Sequence, residues 1–238
     1  MRINQPETVA NPPRLKCRKV ETLPAAGDWE AVEKAFAAAD FAELGQAWTN
    51  TPDPGFQPAR AAVIWNKDCI LVFADLADRE IYNRMPIENK NQLAIQHGDV
   101  FEVFLQPGGQ EAYYELHVTP SNHQFQVRFP YVGAAREKPK KPGENTIENF
   151  KIWDHEMETR VRIMEQKNRW QATLLIPLSM IPEGSPIHPG DEWNFSFCRY
   201  DHYEEGPPVL SSTSPHREID FHRLHEWGSL IFTSNNPA

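Results

Sequence analysis

Three shortages narrow this 238-residue sequence before any pattern in it is read. It is poor in cysteine. Cys17, Cys69 and Cys198 are odd in number and far apart, which argues against a disulfide framework or a zinc knuckle and leaves reduced, buried thiols as the expectation. It has no apolar run near the ~20 residues a membrane span needs, and none after Met1 that resembles a secretory leader. A soluble, cytoplasmic protein is therefore expected, with secretion open for a chain whose leader has been removed. It also lacks a basic excess. The 33 acidic side chains outnumber the 24 basic ones, for a net charge of −9, and no basic stripe offsets them. That argues against a nucleic-acid partner and favours neutral or cationic ligands, or metal ions.

A long helical period is missing too. What is present is 40% apolar residues with seven tryptophans, enough for a sizeable core. The simplest division is a polar, proline-containing arm over 1–14 and one domain over 15–238. Asp28 caps a short helical stretch from Trp29 to about Ala39, with Trp29, Val32 and Phe36 at helical spacing. From Ala59 onward strands dominate. Residues 59–65 and 70–75 flank a turn over 66–69, and 124–129 alternates cleanly. The stretches 159–165 and 170–177 form a hairpin, and 191–199 and 229–233 complete the set. Residues 130–148 form the most loop-like interior stretch. Short strands at roughly ten-residue spacing, punctuated by Pro and Gly, predict an antiparallel β-sandwich with short helical connections.

The most informative pair is Asp99–Pro107 and Ala112–Val118, joined through Gly108 and Gly109. Phe101, Val103 and Leu105 share one face of the first strand, which leaves Glu102 between Val100 and Phe104 on the other. A carboxylate so placed needs a partner, because desolvating it unpaired costs several kcal/mol or forces a proton onto it. An Arg, a metal ion or a polar ligand would serve.

A series of landmarks follows in order along the chain: Trp29, "ARAAVIWNKDCILVFADLAD" with Asp78, "GDVFEVFLQP" with "AYYELHV", "RWQATLLIPLSMI", "GDEWNFSFCRYD" and "FHRLHEWGSLIF". This order of segments resembles carbohydrate-binding module family 9, within the wider group of dopamine β-monooxygenase N-terminal-like (DOMON-like) domains. The resemblance implies a sandwich of immunoglobulin or jelly-roll type that binds sugar, an association with carbohydrate catabolism, and calcium as a structural ion. It also implies a sugar slot between two aromatic rings. Gln96 and His97 stand where the family has the first ring, and Phe221, with His222 beside it, stands at the second.

Planar polar side chains suit vicinal hydroxyls, and Glu102, Gln126, Arg128, Asn194 and Arg199 all lie on strands that could aim them into one cavity. The competing structural reading is a buried Glu–Arg pair fixing register, with Arg199 bound to Glu102 or Glu115. Asp75, Asp78 and Asp99 are candidate hard oxygen ligands for calcium, without a 12-residue calcium loop. His222 and His225, with His216 or His202, offer a zinc set, and Met85 with His222 a haem set. The favoured expectation is non-catalytic binding of a neutral mono- or oligosaccharide. Its rivals are an enzyme acting on a sugar derivative through cleft carboxylates such as Glu102 and Glu115, and a protein-interaction sandwich with a vestigial cleft.

Overall fold

The computed structural model describes residues 11–84, 91–138, 146–152 and 156–234. Twelve strands carry the described chain: β1 (Arg14–Lys19), β2 (Phe41–Glu43), β3 (Ala59–Trp65), β4 (Cys69–Ala77), β5 (Val100–Gln106), β6 (Tyr113–Val118), β7 (Gln124–Phe129), β8 (Glu158–Met164), β9 (Arg169–Pro177), β10 (Glu192–Asp201), β11 (Val209–Ser212) and β12 (Gly228–Thr233). The protein is thus all-β, as expected, but its strands belong to one continuous hydrogen-bonded sheet. The order is β7-β6-β5-β10-β12-β1-β3-β4-β9-β8, with β11 on β10 and β2 on β3. β1 runs parallel to both its neighbours, and all other pairs are antiparallel.

The sheet curls until its two end strands nearly meet. Gln124 on β7 donates to Thr159 on β8 at 2.7 Å, and Thr159 donates to Asn122 at 2.8 Å. The enclosed face holds the main core. Phe101, Val103 and Leu105 of β5 and Phe195 and Phe197 of β10 pack there with Val63, Trp65, Val72, Trp170 and Leu174. Two outer layers cover the sheet from outside. Over β3 and β4 lies α1 (Trp29–Phe36), begun by Asp28 Oδ1 accepting the Ala31 amide at 3.1 Å. Its Val32 and Phe36 are buried against Ala62, Ile64, Leu71 and Phe73, each such side chain contributing about 2 kcal/mol. Over β5, β6, β7 and β10 lie loops bearing Trp48, Ala134, Phe221, Leu224 and Trp227.

Every residue of β5 and β6 is buried as a result. Polar side chains on the outward face of these strands therefore sit under a lid of loops, away from bulk water. The turn at 66–69 forms as expected, with Asn66 Oδ1 accepting the amides of Asp68 and Cys69 at 2.9 and 2.8 Å. All three cysteines are free, Cys17 and Cys198 buried and Cys69 half-buried.

Candidate functional site

Alternation along β5 and β6 builds the site. Glu102 and Phe104 of β5, and Tyr113, Glu115 and His117 of β6, share the outer face, and the antiparallel register sets His117 directly opposite Glu102. His117 Nε2 lies 3.1 Å from Glu102 Oε1 and 2.7 Å from Glu115 Oε1. The segment from Ser214 to Trp227 lies above them. Glu226 ties it down, lying 3.2 Å from His216 Nδ1 and accepting from Arg223 Nε at 2.8 Å and the Arg217 amide at 3.3 Å. Burial alone would raise Glu226, but Arg223, His216 and Arg217 outweigh it and hold the carboxyl down at about 2. The Trp227 indole donates to Phe221 O at 2.8 Å, which fixes the next residue, His222, over β6. There the His222 Nδ1 meets the Tyr113 hydroxyl at 3.0 Å, and its Nε2 lies 3.5 Å from Glu115 Oε2.

Together these groups enclose a cavity of about 300 Å³. Phe104, Phe129, Tyr200 and Phe221 supply aromatic walls, Glu102 and Glu115 the polar floor, and Asp220 and His222 polar groups beside Phe221. Burial pushes Glu102 up to about 8, against the pull of His117 and with a push from Glu115. Burial also acts to lower His117, yet the two carboxylates more than reverse this and raise it. For Glu115 burial again acts upward, but His117 and His222 prevail and hold it low.

The expected constellation is only partly brought together here. Glu102, Phe221 and His222 line the cavity. Arg199 does not, which corrects the expected shared network: β10 pairs Cys198 with Glu102, so Arg199 points to the opposite face. Its guanidinium lies 2.9 Å from both Asp78 and Asp201 and donates to Ala77 O at 2.6 Å. Gln126 and Arg128 also leave the cavity, because Phe125, Val127 and Phe129 occupy the outer face of β7. Gln126 donates to Ile152 O at 3.1 Å, and Arg128 pairs with Glu183 beside a second cavity of about 500 Å³. Asn194 donates to Gln106 at 2.8 Å farther along the outer face. Gln96 is exposed and His97 half-buried. Their loop turns at Gly98, where a Cβ would stand 2.4 Å from Tyr82 O. Neither Gln96 nor His97 reaches the cavity lining, although the neighbouring Ile95 does.

Of the three aspartates named for calcium, Asp78 and Asp99 come together with Asp201, while Asp75 is engaged by Arg169 at 2.6 Å and Gln171 at 3.0 Å. Each of the trio's six carboxylate oxygens accepts at least one hydrogen bond from the protein. The donors are Glu80 N, Trp170, Arg199, Tyr82 N, His202 N and Tyr203. His225 is exposed, His216 is held by Glu226 and His202 faces Ile95 O at 2.9 Å, so these three do not join His222 as a zinc set. Met85 lies outside the described residues.

Sequence reasoning passed over His117, Tyr113, Phe104, Phe129 and Tyr200 as lining or supporting groups. The signal was available for two of them. In Tyr113-Tyr-Glu-Leu-His117 the odd positions share the face of Glu115.

No family model and no curated protein matches the sequence. Solved structures do match. A candidate carbohydrate-binding protein from Bacteroides uniformis ATCC 8492 superimposes with a TM-score of 0.68 at 15% identity, over 92% of this chain and 98% of the other. The fold is like that of carbohydrate-binding module family 9. A family 9 module from Caldicellulosiruptor kristjanssonii, in complex with cellotriose, gives 0.61 at 12% identity over 94% and 95% of the two chains. Its complex with glucose gives 0.62 at 12% identity over 95% and 98%. The family 9-like likeness thus spans nearly the whole chain, and it is a likeness of fold.

Proposed function

We propose that this protein binds a neutral mono- or short oligosaccharide, without catalysing its conversion, in the outer-face cavity over β5 and β6. The supporting observation is the combination of aromatic walls with a polar floor and polar neighbours in one concave space. Sugars offer apolar C–H faces to rings and hydroxyls to carboxylates and imidazoles, and this lining supplies both. At about 300 Å³ the space sits at the small end of ligand sites, which suits one or two sugar rings. The all-β, family 9-like fold agrees with this reading, as do the sugars named in the two neighbouring complexes. A role in carbohydrate catabolism belongs to the same proposal.

The enzymatic alternative draws less support. Glu102 and Glu115 converge on a single imidazole nitrogen, 3.1 and 2.7 Å from it, rather than facing each other across a gap that a glycosidic bond could occupy.

Titration calorimetry with glucose and with cellotriose tests the proposal. With an exposed Gln96 in place of a stacking ring, affinity should be weak, near millimolar, or about −4 kcal/mol. Phe221→Ala should weaken it by roughly tenfold, since an aromatic contact is commonly worth ~1 kcal/mol beyond burial. Absence of heat at tens of millimolar sugar, or binding unchanged in Phe221→Ala, would remove the proposal.

A further inference from the structure

The floor of the cavity holds a second feature that hydrogen bonding does not explain. His117 is buried, its Nδ1 has no hydrogen-bond partner, and its Nε2 is crowded by two carboxylate oxygens at once. That nitrogen stands 2.7 Å from Glu115 Oε1 and 3.1 Å from Glu102 Oε1, and a single N–H cannot point along both lines. Hydrogen bonds weaken steeply once donor, hydrogen and acceptor leave a line. Glu102 Oε2 is likewise buried and unpartnered, and Glu115 Oε2 has only the 3.5 Å approach of His222. Leaving such groups unsatisfied in a desolvated setting is costly, and for a carboxylate more so than for a neutral group.

Lone pairs that gather around one point without pointing at one another are the arrangement of ligands around a cation. Bonds of about 2.0–2.2 Å at a tetrahedral ion leave neighbouring ligand atoms roughly 3.3 Å apart, comparable to the spacing here. The side chains are placed from below and from above. Glu102, Glu115 and His117 come from adjacent strands, whose register is fixed by the ladder. His222 comes from the segment overhead, and the Tyr113 hydroxyl on its Nδ1 leaves Nε2 facing Glu115 Oε2, the kind of outer contact that orients a ligating carboxylate.

We propose that Glu102, Glu115 and His117 hold a divalent first-row transition-metal ion, zinc by preference, at the floor of the outer-face cavity, with a fourth position open to water. Mixed imidazole and carboxylate ligands suit zinc, manganese or iron, whereas calcium prefers an all-oxygen shell. Two carboxylates also match the charge of such an ion. The inference stands apart from the sugar reading, because ion binding is read with no sugar present.

The test uses the full chain, stripped with chelator and dialysed, then titrated with zinc sulfate and separately with manganese chloride. Calorimetry and elemental analysis should show one equivalent of zinc bound, with a rise in melting temperature, since an ion that binds only the folded state stabilises it. Glu102→Gln keeps the shape of the side chain and should weaken zinc at least tenfold. His117→Gln should do the same, and cobalt substitution should give the intense visible bands of a tetrahedral site in the parent only. His225→Ala, at an exposed histidine, should bind as the parent does. If His117→Gln fails to fold, Glu102→Gln decides. Less than a tenth of an equivalent of either metal retained, or zinc binding unchanged in Glu102→Gln, or zinc binding lost in His225→Ala, overturns the proposal.

Discussion

Two buried acidic clusters flank β5 and β10, and they solve the same problem in opposite ways. Asp78, Asp99 and Asp201 surround Arg199 at one end of the enclosed core, where backbone amides, an indole, a phenol and the guanidinium satisfy all six carboxylate oxygens. Glu102 and Glu115 lie on the outer face with a single imidazole between them, and two of their four oxygens have no hydrogen-bond partner. The first cluster is complete in itself and joins β4, β10 and the loop before β5. The second is incomplete and opens on a cavity. Buried polar groups are ordinarily satisfied, so an unsatisfied set beside a cavity is where a ligand of the kind proposed would gain most.

The contrast predicts unequal responses to mutation, and the largest falls on the complete cluster. Arg199→Ala leaves Asp78 and Asp201 buried without their cation and should cost about 3–5 kcal/mol, measured by urea unfolding. A loss under 1 kcal/mol would show that the knot is not what holds that end of the core together.

The next effect is on pH. Burial, together with the neighbouring Asp78, pushes Asp99 up to about 8, and burial pushes Asp201 up to about 7 against the pull of Arg199. A group whose folded pKa is raised contributes stability that is complete below its unfolded value near 4 and lost as pH climbs through the folded value. The melting temperature of chelator-treated protein should therefore fall between pH 5 and pH 9. A flat profile over that range would contradict the burial assigned to these carboxyls.

Glu226 works in the reverse direction, since its carboxyl is held near 2. Its contribution is present above the unfolded value near 4.5 and disappears as pH falls towards 2. Glu226→Gln should lower stability at pH 7 by about 1 kcal/mol, after allowance for screening of the partly exposed Arg223, and should flatten the acid limb. Equal acid limbs in the two proteins would count against the tie between Glu226 and the segment over the cavity.

The smallest effect belongs to the incomplete cluster. In chelator-treated protein at neutral pH Glu102→Gln should change stability by less than about 1 kcal/mol, or raise it, because a carboxyl pushed up to about 8 is already largely neutral and one of its oxygens is an orphan. A loss as large as that of Arg199→Ala would erase the distinction between the two clusters.

Much of the scaffold is legible in the sequence because its signals are local. The alternation of "FEVFLQP" places Glu102 opposite the core residues Phe101, Val103 and Leu105, and Asp28 starts α1 where the spacing of Trp29, Val32 and Phe36 demands it. Arg199 shows where local reading stops. Its parity with Phe195 and Phe197 marks it as inward, which it is, but only the pairing of Cys198 with Glu102 reveals that inward means away from Glu102. Gln126 and Arg128 fail as cavity residues for the same reason, since parity fixes two faces without saying which is outside. The single continuous sheet was hidden as well: β1 joins the two halves through parallel pairs with β3 and β12, and a parallel neighbour far along the chain leaves no turn signal. Phe221 and His222 became visible through family resemblance, whereas Phe104, Phe129 and Tyr200 look from sequence like ordinary core.

The claim at the centre of this account is that ligand binding belongs to the incomplete, outer-face cluster. A crystal structure of the protein soaked with cellotriose tests it directly. The account predicts a sugar ring against Phe221, within the space bounded by Phe104, Tyr200 and His222 and above Glu102. A sugar seated instead beside Arg128 and Phe150, or against the Asp78–Arg199 end of the sheet, would contradict it.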